Sequence, residues 1–336
     1  MSARASIIPV FVPHWGCGHA CVFCDQRQIT GQRLPATPRT VEEAMRQAAA
    51  LPPGAKRQLA FYGGSFTAIP AGEQEALLEA AQEYILRGEL SSLRLSTRPD
   101  AIDAETLERL RRYGVETIEL GAQSMDDEVL RLSGRGHTAA EVEAASRQIK
   151  AAGFSLVLQM MTGLPGSSDE RELETAGRLI ALRPDAVRLY PTVIVRGTEL
   201  ERLWHAGRYT EHTVEDAVRV CAKLVPLFEK AEIPILRLGL NPTEELSGGA
   251  AVGGAYHPAL GELVRSRLLR NRAEELLGGV EPGASVTLGV NARELSQMIG
   301  QKRANIAYLK ERFSLAELSV RPAEAPKGTI LVLKKA

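Results

Sequence analysis

The stretch Ile7-Ile8-Pro9-Val10-Phe11-Val12-Pro13-His14-Trp15-Gly16-Cys17-Gly18-His19-Ala20-Cys21-Val22-Phe23-Cys24-Asp25-Gln26 joins a short apolar run to a loop that carries three cysteines. Ile7–Val12 reads as a β-strand, and the cysteines follow directly where it ends. Further runs of the same kind recur at Gln58–Tyr62, Leu93–Thr97, Thr117–Gly121, Leu156–Met160, Ala186–Tyr190 and Ile235–Leu238. Between them lie stretches with apolar residues at helical spacing, such as Val41–Ala50, Gly72–Arg87, Ala104–Tyr113, Thr138–Ala152 and Val214–Ala231. Strands that alternate with amphipathic helices imply repeated βα units and a parallel sheet. In such sheets chemistry collects at the strand ends, which is where the cysteine loop falls.

Six or seven units predict a curved, partly closed barrel. A full eight-unit barrel usually needs about 250 residues, and the repeats here end near Leu240, so the expected form is a partial (βα)6 barrel with a seventh strand appended. Ser247–Tyr256, dense in Gly and Ala, breaks the periodicity and is expected to be a loop. Beyond it, Ala284–Val290, Ala292–Gly300, Arg303–Phe313, Glu317–Val320 and Thr329–Leu333 predict a small mixed α/β module. The expected division is therefore a barrel over 1–246 and an α/β module over 247–336.

The 336 residues are 24% charged and 44% hydrophobic, an ordinary globular balance. No apolar run reaches the ~20 residues that span a bilayer, and the N-terminus lacks the apolar segment and cleavage site of a secretory signal. The expectation is a cytoplasmic protein with no membrane partner. Three of the four cysteines lie in one loop and Cys221 stands far from them, which argues for a metal site rather than a disulfide framework. Cys221 falls in an apolar-periodic helix and reads as a buried, inert thiol. Residues 257–336 carry 13 Lys and Arg against 8 Asp and Glu, about +5, which leaves about −5 on the remainder.

Three thiolates spaced C-x3-C-x2-C on one loop can wrap a cubane cluster, whose irons take soft sulfur ligands. With three ligands for four irons, one iron keeps an open coordination position, the arrangement that separates catalytic from structural metal sites. A zinc site is the competing reading, with His14 or His19 as the fourth ligand.

Cys17, Cys21 and Cys24 at this spacing, with Phe23 before the last, resemble the signature of radical S-adenosylmethionine (SAM) enzymes. The resemblance implies a [4Fe–4S] cluster whose open iron is chelated by the amino and carboxylate groups of SAM. One electron then splits the sulfonium to a 5′-deoxyadenosyl radical. It also implies an external reductant such as flavodoxin or ferredoxin. Gly63–Gly64 after the second strand corresponds to the element that meets the methionine amino group, and two glycines there admit close backbone approach. Matched position by position, Ser96 and Gln123 at the third and fourth strand ends become polar SAM contacts. Arg135 would face the methionine carboxylate, which its fork suits. Gln159, on the fifth strand, stands where some relatives have an Asp, ahead of the turn Thr162-Gly163-Leu164-Pro165-Gly166.

Arg98–Asp100, Arg135–Thr138, Leu189–Leu200, Leu203–Trp204 and Gly207–Tyr209 resemble Elongator subunit 3, which modifies wobble uridines of tRNA. The resemblance runs from about Ile7 to Leu240. The first two cysteines are closer here than in that subunit, and no acetyltransferase domain follows, so a stand-alone bacterial or archaeal radical domain is expected and the acetyl-CoA-dependent reaction is not carried over. Tyr190 and Arg196 become the substrate residues, the first to stack on a base or relay an electron, the second to hold a phosphate. Met298–Ile306 resembles the helix–GXXG–helix turn of KH domains, with Arg303 in place of the second glycine. The expected function is radical modification of tRNA or another RNA. Two alternatives are a coproporphyrinogen oxidase-like enzyme, which shares the cysteine spacing and the Gly-Leu-Pro-Gly turn, and a non-catalytic iron–sulfur RNA-binding protein.

Overall fold

The computed structural model describes residues 6–32, 34–50 and 56–335. Apolar runs become the strands β1 (Ser6–Phe11), β2 (Arg57–Tyr62), β3 (Ser92–Thr97), β4 (Val115–Gln123), β5 (Ser155–Thr162) and β6 (Ala186–Pro191), then the short β7 (Val193–Val195), β8 (Ile235–Leu238) and β9 (Ala251–Gly254). One seven-stranded sheet runs β1-β2-β3-β4-β5-β6-β8, and every neighbouring pair in it is parallel. The six βα units and the added strand predicted from the sequence are therefore present. Buried runs such as Leu59–Phe61 and Leu156–Leu158 explain the parallel form, because only a sheet covered by helices keeps both faces dry.

Several of the helices between the strands start on side-chain caps that their sequences supply. The loop after β1 enters α1 (Gln26–Thr30), whose first N–H groups are met by Asp25. After β4, α2 (Asp127–Leu132) is capped by Asp126, and α3 (Ala139–Ala151) by a Thr138/Glu141 capping box. These caps fix where each strand-end loop stops, and so where its side chains point.

Ser247–Tyr256 is not the loop its glycines suggest. Leu246–Ala250 forms a π-helical turn and β9 pairs antiparallel with β7. The buried Val193 and Val195 pack with Leu246 and Ala250, so a small apolar cluster drives the pairing that composition obscures.

The chain divides into two compact units, one of residues up to Thr213 with Leu224–Tyr256, the other of Val214–Lys223 with His257–Ala336. The sequence reading drew its line at 246/247, whereas the β7–β9 pairing keeps residues up to Tyr256 with the barrel. The second unit holds α4 (Leu260–Leu277), β10 (Ser285–Val290), α5 (Leu295–Ile299), α6 (Ala304–Arg312), β11 (Glu317–Pro322) and β12 (Ile330–Lys335). Its sheet runs β11-β10-β12, with β10 parallel to β11 and antiparallel to β12. Leu269, Leu277, Val286, Leu288, Met298 and Leu309 form its core. Helices α5 and α6 thus link two parallel strands, and Gly300–Arg303 is the turn between them. Cys221 is buried, as its helical pattern predicts.

Candidate active site

The loop from Val12 to Asp25 is held along its length by backbone bonds to the ends of other strands. Val12 N–H donates to Tyr62 O at 2.7 Å, His14 N–H to Gly63 O at 3.0 Å, and Ser65 N–H to Trp15 O at 2.9 Å. A Cβ on Gly64 would stand 2.3 Å from Val12 O and 2.5 Å from Trp15 O. The close approach that requires glycine there is to the cysteine loop's own backbone. On the other side Val22 N–H donates to Ser133 O at 3.1 Å, and Leu200 N–H to Val22 O at 2.7 Å. Gly136, at φ +68°, lies under the His19 ring, where a Cβ would come within 2.4 Å of it.

Within this clamp Ser65 Oγ lies 3.8 Å from Cys17 Sγ, Arg135 Nη1 donates to Cys21 Sγ at 3.1 Å, and Gln26 Nε2 donates to Cys24 Sγ at 3.2 Å. Burial pushes the Cys24 thiol up to about 12, with the neighbouring Cys21 and Cys17 adding to the rise and Gln26 and Arg135 opposing it. A thiol held up in this way needs a cationic metal beside it to become a thiolate. Of the two histidines that could complete a zinc site, His14 already accepts at Nε2 from Gln26 N–H at 2.8 Å. Among the described residues no three His, Cys, Asp or Glu groups are placed to hold a single metal ion.

A cavity of about 290 Å³ opens beside the thiols at the strand ends. Cys17, Cys21, Phe23 and Cys24 form one side. Gly63 and Gly64 after β2, Ser96 on β3 and Gln123 at the end of β4 continue the wall. Gln159 on β5, Tyr190 on β6 and Arg135 complete the residues that sequence reasoning selected. Arg196 alone among them lies outside: it is exposed on the turn after β7, and its guanidinium donates to Gly249 O at 3.1 Å.

Gln123 sits at φ +66°, beside a register shift between β4 and β5, a backbone state uncommon outside glycine. The twist turns its amide into the wall, where Oε1 is buried without a hydrogen-bond partner. Arg135 Nε is buried in the same condition. Unpaired buried polar atoms cost about 1–3 kcal/mol each, so a polar ligand is what these groups lack. Arg98, just past β3, grips its own loop. It donates from Nε and Nη2 to Asp100 at 2.8 and 3.0 Å, and from Nη2 to Arg135 O at 2.8 Å.

Deeper in the barrel lies a polar cluster that sequence reasoning missed. Glu119 on β4 is fully buried and meets Arg188 of β6, Arg94 of β3, Gln159 of β5 and Tyr62 of β2. Tyr62 donates to Glu119 Oε1 at 2.7 Å and accepts from Arg188 Nη2 at 3.1 Å. Burial and the Glu119 carboxylate push the Tyr62 phenol up, so it remains a donor. Arg188 Nη1 also reaches the Tyr190 hydroxyl at 3.4 Å.

The family model described as the radical SAM superfamily matches residues 12–179, and the radical SAM C-terminal domain matches residues 184–270. The chain belongs to the radical SAM superfamily. As a radical SAM protein it is an enzyme by family, and the family works with a [4Fe–4S] cluster and SAM. The three thiols, the adjacent cavity and the unpaired Gln123 amide fit those two groups. Among curated relatives, Elongator complex protein 3 of Homo sapiens is 37% identical over 136 residues, 40% of this chain and 25% of that one. The tRNA uridine(34) acetyltransferase of Dehalococcoides mccartyi is 30% identical over 188 residues, 53% of this chain and 40% of that one. This radical SAM chain thus spans well under half the length of either relative. Among solved structures, the archaeal Elp3 of Methanocaldococcus infernus superposes with a TM-score of 0.62 at 21% identity, covering 83% of this chain and 64% of that one. The shared fold is the curled half-barrel of parallel strands. Among the described residues no helix is long and apolar enough to cross a membrane.

Proposed function

We propose that this radical SAM enzyme holds its cluster through Cys17, Cys21 and Cys24, binds SAM across the strand ends, and modifies a nucleobase of RNA, with tRNA as the substrate. The observation that carries the reading is one cavity with three thiols on one wall and the unpaired Gln123 amide on another. Phe23, Gly63, Gly64, Ser96, Gln123 and Gln159 are the proposed SAM contacts. The cluster and SAM supply a carbon radical when bound, and the protein's share is orientation and exclusion of water. Tyr190, which Arg188 orients, faces the cavity as the proposed substrate contact. Arg196, exposed on its turn, is the proposed phosphate contact.

The RNA half of the proposal draws on the relatives named for tRNA uridine and on the positive charge of residues 257–336. In this reading the unit that carries the thiols is the radical barrel, and residues 257–336 belong to the RNA-contacting module. The cytoplasm is the compartment, and a flavodoxin or ferredoxin the reductant. Anaerobic reconstitution with iron and sulfide, followed by assay for 5′-deoxyadenosine with and without bulk tRNA, tests both halves. The expected result is 5′-deoxyadenosine that increases with tRNA and a new nucleoside in the digested RNA. Iron-loaded protein that never forms 5′-deoxyadenosine would overturn the enzymatic reading. Formation indifferent to tRNA, with no new nucleoside, would overturn the substrate and favour a small molecule such as a porphyrin.

A further inference from the structure

Two nitrogen donors reach the cysteine sulfurs from different elements, and neither lies in the cysteine signature. Gln26 belongs to the first turn of α1, and Arg135 to the loop between α2 and α3. We propose that Arg135 and Gln26 set the reduction potential of the cluster by donating to the sulfurs of Cys21 and Cys24, with Arg135 serving the cluster rather than the methionine carboxylate of SAM. The proposal rests on the reading that these cysteines hold the cluster.

The hydrogen-bond inventory of Arg135 supports this assignment. Pairing a carboxylate bidentately needs two parallel N–H groups of the guanidinium. Here one N–H of Nη1 goes to Cys21 Sγ at 3.1 Å and one of Nη2 to Gly121 O at 2.8 Å, so the two ends of the fork are anchored on a sulfur and a carbonyl. Nε is buried without a partner, so a ligand in the cavity can take a single bond from it while Nη1 stays on the sulfur. The placement is also rigid, since Arg98 Nη2 donates to the backbone oxygen of Arg135, and Arg98 is itself pinned by Asp100. Gln26 is fixed in a comparable way, through its N–H to His14 Nε2. A thiolate only accepts, so the Gln26 amide presents its NH2 to Cys24.

Reduction adds one negative charge to a cluster bound by thiolates. Donors and positive charge at the sulfurs stabilise the reduced form and raise the potential. Arg135 is buried, so its charge acts through a medium that screens poorly. Gln26, neutral, acts in the same direction with less force. Ser65, at 3.8 Å from Cys17, is the weakest of the three. Arg135 and Gln26 are thus positioning residues that act through sulfur.

The test is an EPR-monitored redox titration of the full chain, reconstituted anaerobically and without SAM, for the wild type and for Arg135→Gln, Arg135→Lys and Gln26→Met. Arg135→Gln should lower the equilibrium constant for reduction at least tenfold, which is about 59 mV for one electron. Gln26→Met should shift it the same way by less, and Arg135→Lys should fall between Arg135→Gln and wild type. Potentials unmoved in the variants, with SAM affinity by calorimetry lost in Arg135→Gln, would overturn the proposal and return Arg135 to the SAM carboxylate. Should Arg135→Gln take up no iron, the other two variants decide, and an unmoved potential in both overturns it. Failure of the underlying reading has a different signature, a wild-type chain that takes up no iron.

Discussion

Arg188 grips both oxygens of one carboxylate, donating from Nε to Glu119 Oε2 at 2.7 Å and from Nη2 to Oε1 at 3.0 Å. Glu119 has no exposed surface, and Arg94 adds a second cation at 3.4 Å. Removing the carboxylate leaves two buried guanidinium groups without their counter-ion, a loss of about 3–5 kcal/mol in comparable pairs. Glu119→Leu should therefore lower stability by that order in denaturant unfolding of the full chain, and Glu119→Gln, which keeps an acceptor, by less. An equally stable Leu variant would show that the cluster does not brace the barrel.

The residues of that cluster were readable in principle. Arg94 precedes Ser96 by two on β3, Glu119 precedes Gly121 by two on β4, and Arg188 precedes Tyr190 by two on β6. Side chains two apart on a strand share a face, so each charged residue in an apolar run marks the inward face one step below the cavity rim. The seven parallel strands were legible for the same reason, as apolar runs too short for helices. The β7–β9 pair was not, because Gly and Ala carry no periodic signal and the antiparallel contact spans more than fifty residues. The division of the Arg135 fork was also illegible, since sequence matching gives a residue's position and not where its N–H groups are spent.

His137 makes stability depend on pH. Its Nε2 donates to Ala122 O at 3.2 Å, while burial, and after it the charge of Arg135, lower its pKa to about 4. The unfolded chain binds this proton near pH 6.5 and the folded one only near 4, so the contribution is complete above about 6.5 and is lost as pH falls towards 4. The full effect is roughly 3 kcal/mol. Unfolding free energies at pH 7.5 and 4.5 should differ more for wild type than for His137→Asn; equal differences in the two proteins would remove His137 from the account.

The cluster assignment predicts different fates for two buried or half-buried thiols. Cys21→Ala should lose most of the iron taken up on reconstitution, because the loop then offers two sulfurs where three are needed. Cys221→Ala should retain it, since that residue is buried in the helix Val214–Lys230, almost two hundred residues along the chain from the loop. Iron content unchanged in the first variant, or lost in the second, by colorimetric assay would refute the ligand set.

Gln123→Ala should weaken SAM binding about tenfold, the size of one buried hydrogen bond near 1.4 kcal/mol. Gln123 touches none of the cysteines through a hydrogen bond, so the iron content and visible spectrum should remain those of wild type. Calorimetry on the reconstituted protein reads the affinity. Unchanged binding would mean that the φ +66° conformation of Gln123 serves the fold alone.

The substrate proposal is tested in the second unit. Between α5 and α6 the chain turns through Gly300 at φ +77°, Lys302 at φ +50° and Arg303 at φ +64°. Asn305 holds the turn from behind, its amide donating to Ser266 Oγ at 2.9 Å and to Met298 O at 3.2 Å. Lys302 and Arg303 are both exposed, so two cations stand together on a braced loop in the part of the chain with excess positive charge. If phosphates bind there, affinity comes from displaced counterions and falls steeply with salt. Replacing both residues by Ala should then weaken tRNA binding across all sequences and reduce the slope of log affinity against log salt by up to about two units. Cleavage of SAM in the absence of RNA should be untouched, because neither residue lines the cavity. Filter binding over a salt series makes the decision: affinity indifferent to salt and to both substitutions would remove RNA phosphates from this surface and leave the cavity with a small-molecule substrate.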